Sequence, residues 1–392
     1  MTERQRFKFN ILFLIYVIMW KMIQTMYLGG FDGAGRISLI MMMSAIFINA
    51  KSIFHASKEI WIWTVWVIYV IVCSKIKGFY SDTNTFTNWF PNALLLPLVS
   101  MHVACQAVKY DWNKTLKALF YTYVVFVVIG SLNMGISESN ADRRTNELGN
   151  YFFNNAILLA TYSSLLYSLK NIKKLTYFVL LVIILYVIFI SGERKGLICV
   201  FILIMGSLYA LNSNKGSKSL LYMMLLSGVA YLAVDFLINY SVASARMSES
   251  MAESSYQDNL FLKLLGDRGI MYYEGWEFFL ENKWTGIGIT NFRWQNSFFS
   301  GLPLHTEYMV QICECGILGS LLFLMFYGNL IKRLINSYKR SVNKTIPIIL
   351  VSSMIAIIVF NFVSWSYSYA GFFIVFGLIL AYCDNQVRNE TK

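Results

Sequence analysis

The sequence predicts an all-α polytopic membrane protein of about twelve helical spans with one long extracytoplasmic loop, and three observations carry that prediction. The first is bulk chemistry. Of 392 residues, 57% are hydrophobic and only 14% are charged, too little charge to keep a soluble domain of this size dispersed. The second is run length. Apolar runs of about 17 to 22 residues recur along the chain, and at about 1.5 Å rise per residue each matches the roughly 30 Å of a hydrocarbon core. The third is where the basic residues lie. The formal charge of +12 falls in short loops that alternate with the runs, which is a membrane pattern and not a nucleic-acid-binding surface.

Taken in order, the expected spans are 9–28, 37–50, 60–76, 90–108, 116–135, 152–169, 174–191, 196–211, 219–238, 309–331, 346–363 and 368–383. If Arg4, Arg6 and Lys8 stand in the cytoplasm, then so do Lys51 and Lys58, Lys109 with Lys114 and Lys117, Lys170 with Lys173 and Lys174, and Lys215 with Lys218. The run from Lys332 to Lys344 and the pair Arg388 and Lys392 follow on the same side. This is the positive-inside arrangement, with both termini cytoplasmic. No cleavable signal peptide is expected, because the first apolar run is long and lacks a small-residue cleavage site. The chain reads as a single integral membrane domain, 1–392, without repeats or low-complexity tracts.

The six cysteines form no disulfide or metal framework. Cys73, Cys105 and Cys199 fall in spans, Cys383 on the cytoplasmic side, and Cys313 and Cys315 are two apart, so on a helix they diverge. Core packing is the expected role.

The outer loops are the informative part: 77–90, 136–150, the tight turn 191–196, and the long segment 239–308, far beyond ordinary connection length. Within the last, Asp267 is placed to cap a helix over 268–281 whose Met271, Tyr272, Trp276, Phe279 and Leu280 suit a membrane surface. Ser244 to Asp258 is polar and expected to be mobile.

Positive-inside topology makes outward cations informative. Arg143 and Arg144 lie in the second loop, Arg194 and Lys195 in the tight turn, and Arg268 at the start of the surface helix. Arginine presents a planar fork that matches phosphate oxygens two at a time, so such residues are suited to gripping a pyrophosphate. Arg194 is the best placed, being held between two spans. Snorkelling to head groups, or pairing with Glu193, Asp142 or Asp267, is the bland alternative for each.

Of three histidines, His55 lies in a cytoplasmic loop and His102 inside a span. His305 follows Pro303 at a helix start on the outer side, where a neutral imidazole can serve as a base or simply bond a backbone carbonyl. Gly286 and Gly288 suit tight turns, and Gly316 and Gly319 suit close helix contact. Glu314, near the outer edge of a span, is expected to pair with one of the outer arginines.

The order of these elements resembles the bacterial O-antigen ligase and O-antigen polymerase superfamily. The resembling elements are Arg143 or Arg144, then Gly149, Asn154 and Asn155; the turn Ser191 to Arg194; Arg268 ahead of an amphipathic helix; Gly286 and Gly288; and His305 entering a span with Glu314, Gly316 and Gly319. The resemblance covers roughly 143–320. Thr306 stands where that family often has asparagine. The resemblance implies a glycosyltransferase-C-like enzyme of the cytoplasmic (inner) membrane, acting at its outer face on undecaprenyl-diphosphate-linked oligosaccharides.

On that basis Arg194 and Arg268, with Arg143, Arg144, Lys195, Asn155 and Glu314 around the donor, would hold the pyrophosphate and glycan. His305 would take the proton of the acceptor hydroxyl as it inverts the anomeric carbon. No metal or cofactor is implied. The partners would be the lipid-linked donor and acceptor, membrane lipids and a chain-length regulator protein; no nucleic acid is expected. A polymerase in O-antigen or capsule assembly is the leading expectation, with a ligase that transfers glycan to lipid A core as the alternative. A lipid-linked oligosaccharide flippase belongs to another class. It is expected to keep polar residues near the midplane with symmetry between halves, whereas here they gather on one face.

Overall fold

The computed structural model describes residues 1–27, 33–79, 89–136, 147–191, 194–212, 267–296 and 303–390. Every element among them is helical. In chain order these are α1 (Glu3–Tyr27), α2 (Gly33–Ile48), the single turn α3 (Ala50–Ile53) and α4 (Lys58–Lys77). A π-turn, Pro91–Leu95, then leads into α5 (Leu96–Tyr110), followed by α6 (Trp112–Ile136), α7 (Glu147–Ser168), α8 (Lys174–Ser191) and α9 (Arg194–Asn212). The rest are α10 (Asp267–Glu281), the short α11 (Phe292–Gln295), α12 (Glu307–Arg340), α13 (Thr345–Asn361) and α14 (Ala370–Glu390). Each predicted run falls on one of these helices except 219–238, which lies outside the described residues. So do Arg143, Arg144, Gly192, Glu193 and the polar stretch 244–258.

Sequences as rich in β-branched and aromatic residues as α8, whose core reads FVLLVIILYVIFI, have modest helix propensity in water. In hydrocarbon the backbone must pair within its own segment, and a helix is the solution. By length and composition, α4, the continuous stretch Pro91–Tyr110 and α12 can each cross a membrane. Shorter apolar helical stretches run Ile37–Ile48, Lys174–Ile188, Gly196–Asn212, Thr345–Asn361 and Ala370–Gln386. Exposure follows the same logic. α4 presents Trp61, Val65, Ile68, Val72 and Ile76 outward along one stripe and buries Trp63, Trp66, Val67 and Val70 on the other.

α14 is the central helix, with Phe372 through Phe376 and Leu378 through Ala381 all buried. It approaches α5 closely because Gly377 lies against the Met101 carbonyl, where a Cβ would clash. Around Trp63 the rings of Trp66, Phe326 and Phe373 stand with centroids 4.4, 4.7 and 4.9 Å away, joining α4, α12 and α14. All six cysteines are buried free thiols, in keeping with their expected packing role.

At the C-terminal end of α12, Arg333 bridges two helices. Its Nε lies 2.9 Å from Glu59 Oε1 on α4, and its Nη1 2.6 Å from Asp384 Oδ1 on α14. Lys109 of α5 takes the other Asp384 oxygen at 2.6 Å. Because Glu59 is fully buried, Arg333→Ala would strand a carboxylate away from water. A loss of about 3 kcal/mol is expected, the low end for breaking a buried pair because Arg333 is partly exposed. Thermal unfolding of the detergent-solubilised protein checks this, and an unchanged midpoint would contradict it.

Candidate active site

α12 is not one helix. At Gly316 the backbone takes φ 66° and ψ −170°, a region open in practice only to glycine. The break would leave main-chain groups on both sides of it without helical partners, which is costly at membrane depth. The segment 283–288 supplies them. Ile287 N–H donates to the Cys313 carbonyl at 3.1 Å and Gly288 N–H to the Glu314 carbonyl at 2.9 Å. In return, Ile317 N–H donates to the Lys283 carbonyl at 2.8 Å and Leu318 N–H to the Trp284 carbonyl at 3.3 Å. The Tyr69 hydroxyl from α4 donates to the Cys315 carbonyl at 2.7 Å.

This splice needs glycines on both sides. Gly286 and Gly288 have φ 66° and 95°, and Gly286 sits so close that a Cβ would strike the Glu314 carbonyl group. The expected tight turns at 286 and 288 are thus present, while Gly316 serves as a helix break instead of a helix–helix contact. Gly319 does make a close approach, to the Tyr69 ring. The final part of the expected outer loop is therefore built into the fold, with Ile287, Ile289 and Phe292 buried.

The expected pairing of Glu314 with an outer arginine lies outside the described residues, since the side chains of Arg143, Arg144, Arg194 and Arg268 are not among them; what is described is its hold on a loop. Its Oε2 accepts from Thr290 N–H at 2.8 Å and its Oε1 from Phe292 N–H at 3.3 Å. Two main-chain donors at the start of α11 bond the buried carboxylate, so it anchors the spliced loop. Glu314→Ala leaves both donors buried without acceptors. The expected cost is about 1 to 3 kcal/mol per donor, read as faster hydrogen exchange across 286–292 and a lower unfolding temperature; wild-type values of both would refute the anchoring role.

His305 lies just before α12 and is half-buried, its ring nearly parallel to that of Trp365 with centroids 6.4 Å apart. The residues beside it are held by the turn that joins α13 to α14. Thr306 donates from its hydroxyl to the Asn361 carbonyl at 3.0 Å. Glu307 N–H donates to the Ser364 carbonyl at 3.3 Å. The Glu307 carboxylate accepts from Ser366 N–H at 2.6 Å and Tyr367 N–H at 3.1 Å.

The network continues inward: Gln311 Nε2 donates to Glu307 Oε1 at 2.8 Å, and Trp66 Nε1 to Gln311 Oε1 at 3.0 Å. Asn361 Nδ2 donates to the Tyr327 hydroxyl at 3.1 Å, which bonds Ser366 Oγ at 3.0 Å. This buried, cross-linked set rigidifies the neck that carries His305. Sequence reasoning missed Glu307, Gln311, Tyr327, Asn361 and Ser366. A signal was there, since Glu307, Gln311 and Glu314 stand at i, i+4 and i+7 on one face of an apolar helix.

Two further elements carry the remaining expected cations. α9 runs antiparallel to α13: Ala210 lies beside Thr345, and Cys199 Sγ bonds the Ala356 carbonyl at 3.3 Å. Continued by one more turn, this register sets the first residues of α9, Arg194 and Lys195, level with Asn361, the residue that holds Thr306. α10 rests on the other side. Gly275 lies against Leu304 and Met309, and position 268 stands two turns earlier on the same helical face. Asn155 is buried in α7, one turn before Leu158, which lies against Gly371, and its neighbour Asn154 has a buried Oδ1 with no hydrogen-bond partner among the described residues. α9 thus runs alongside α13, and α10 packs against the segment that carries His305.

A scan against protein-family models finds no match to this chain, and no curated protein matches it.

Proposed function

We propose that this chain is a metal-independent, inverting glycosyltransferase that joins oligosaccharide units carried on undecaprenyl diphosphate, with about twelve spans, both termini in the cytoplasm and its site at the outer membrane face. One observation supports the proposal: α10 packs at Gly275 against Leu304 and Met309, on either side of His305, while α9 runs along α13, whose Asn361 carbonyl holds Thr306. These are the three elements expected to carry a pyrophosphate grip and a base.

In this reading the guanidinium groups of Arg194 and Arg268 bind the donor pyrophosphate and stabilise the charge that builds on it as its bond to the anomeric carbon breaks. The acceptor hydroxyl attacks from the opposite face, and His305 takes its proton. The turn 361–367 and Glu307 keep the imidazole in place, so that little reorganisation remains for the reaction step.

The test is incubation of the purified protein with lipid-linked repeat units alone. A ladder of longer lipid-linked glycans is the expected result. Transfer only when lipid A core is supplied would replace polymerase by ligase, and absence of product with either acceptor would refute glycosyl transfer.

A further inference from the structure

The turn that joins α13 to α14 alternates serine with aromatic residues, Ser364-Trp365-Ser366-Tyr367-Ser368-Tyr369, and two of these three rings are used in packing. Tyr367 is buried against Trp66, with centroids 6.0 Å apart. Tyr369 stands edge-on to Phe372 at 4.9 Å. Trp365 is the third. It is half-buried, and the ring it faces is that of His305, inclined to it by only 16° with centroids 6.4 Å apart.

One residue fixes Trp365 from both sides. Glu307 N–H donates to the Ser364 carbonyl, and the Glu307 carboxylate accepts from Ser366 N–H. The two neighbours of Trp365 are therefore tied to the residue two places after His305, which puts indole and imidazole on one piece of scaffold. Ser364 and Ser368, near the indole in the chain, are partly exposed. A tryptophan that only anchored the chain at the membrane surface would need no such fixing.

We propose that Trp365 is the platform on which the acceptor sugar lies, so that one of its hydroxyls is carried to His305. The face of an indole is apolar and electron-rich. The C–H groups on one face of a pyranose, polarised by the ring's oxygens, are its complement, and the separation of the two rings is about the width of a hexose with its hydroxyls. The Ser364 and Ser368 hydroxyls serve the edge of the sugar. This assignment rests on the transfer reaction proposed above, and it names what selects the acceptor: a sugar ring with an apolar C–H face, in preference to a lipid or acyclic alcohol.

The oligosaccharide freed from lipid-linked repeat units by mild acid is titrated into the full-length protein in detergent and followed by saturation-transfer NMR. KM and kcat are measured beside it on the intact lipid-linked units. Trp365→Leu and Trp365→Met keep apolar bulk and lose the ring; each should weaken oligosaccharide binding about tenfold and raise KM to match, with kcat near wild type. Trp365→Phe keeps a ring and should retain most of both. Trp284→Leu, which removes an indole that is 67% exposed at the splice, should change neither. Wild-type binding and KM in the ringless variants, or no binding of the oligosaccharide by the wild type, overturns the platform and leaves the transfer reaction standing wherever product still forms. A fall in kcat at unchanged binding and KM would make Trp365 a support for His305 and equally overturn it. Ring-dependent binding by a wild type that forms no product would uphold the platform and remove the transfer reaction.

Discussion

Gly316→Ala is expected to remove most of the folded protein from detergent extracts. At φ 66° and ψ −170° an alanine costs about 1 to 3 kcal/mol in backbone strain alone. Its Cβ would also stand 2.5 Å from Gly286 N and 2.6 Å from the Trp284 carbonyl oxygen, and these are main-chain atoms of the splice that cannot rotate away. Forcing them apart costs a further 1 to 3 kcal/mol or so and loosens the hydrogen bonds that stand in for the missing helical ones. Against a total stability of about 5 to 15 kcal/mol, the sum is disabling. Gly328, on the same helix with open space around it, is the control: Gly328→Ala should be neutral or gain up to about 1 kcal/mol from helix propensity. Size-exclusion profiles and thermal unfolding of the two variants compare them directly. Equal behaviour would mean that the break at 316 is not what holds the loop 283–288.

His305→Ala, Arg194→Ala and Arg268→Ala should each lower turnover about 100-fold or more while leaving folded protein at wild-type levels. The expectation for His305 rests on the bonds that the main chain and side chains of Thr306 and Glu307 make with the 361–367 turn. Removing the imidazole leaves those bonds intact, so a loss of activity would report chemistry and not collapse. For the two arginines, lysine is the telling replacement. It preserves the charge and removes the fork, and if pyrophosphate is held by paired hydrogen bonds, Arg194→Lys and Arg268→Lys should recover little of the lost rate. Initial rates with lipid-linked repeat units measure all five variants. Near-normal turnover in any two of the three alanine variants would dismantle the proposed site.

The helical class and the helix positions were legible from composition and run length, because in a low-dielectric solvent the chain has few ways to satisfy its backbone. Asp267–Glu281 and the turns at Gly286 and Gly288 were legible for local reasons: an acidic first residue, an amphipathic stretch, and glycines at neighbouring positions. His305 and Glu314 stood out as polar residues at the edge of an apolar run. What Glu314 binds did not follow from the same reasoning. An intramembrane carboxylate calls for donors, and a cation was the expected source; the donors that the structure describes are the N–H groups of Thr290 and Phe292.

The sequence by itself determined the kind of solvent this chain is built for, the places where its helices run, and which few residues are chemically unlike their surroundings. Those properties are local: each depends on a window of about 20 residues and on transfer free energies. Only the tertiary structure decided that α12 breaks at Gly316 and is mended by residues 283 to 288, that Glu307 and Glu314 grip two different loops, and that α10 packs against the His305 neck while α9 lies along α13. Such outcomes join residues tens to hundreds of positions apart. They turn on which unpaired donor meets which unpaired acceptor once the helices have packed, and no local pattern records that.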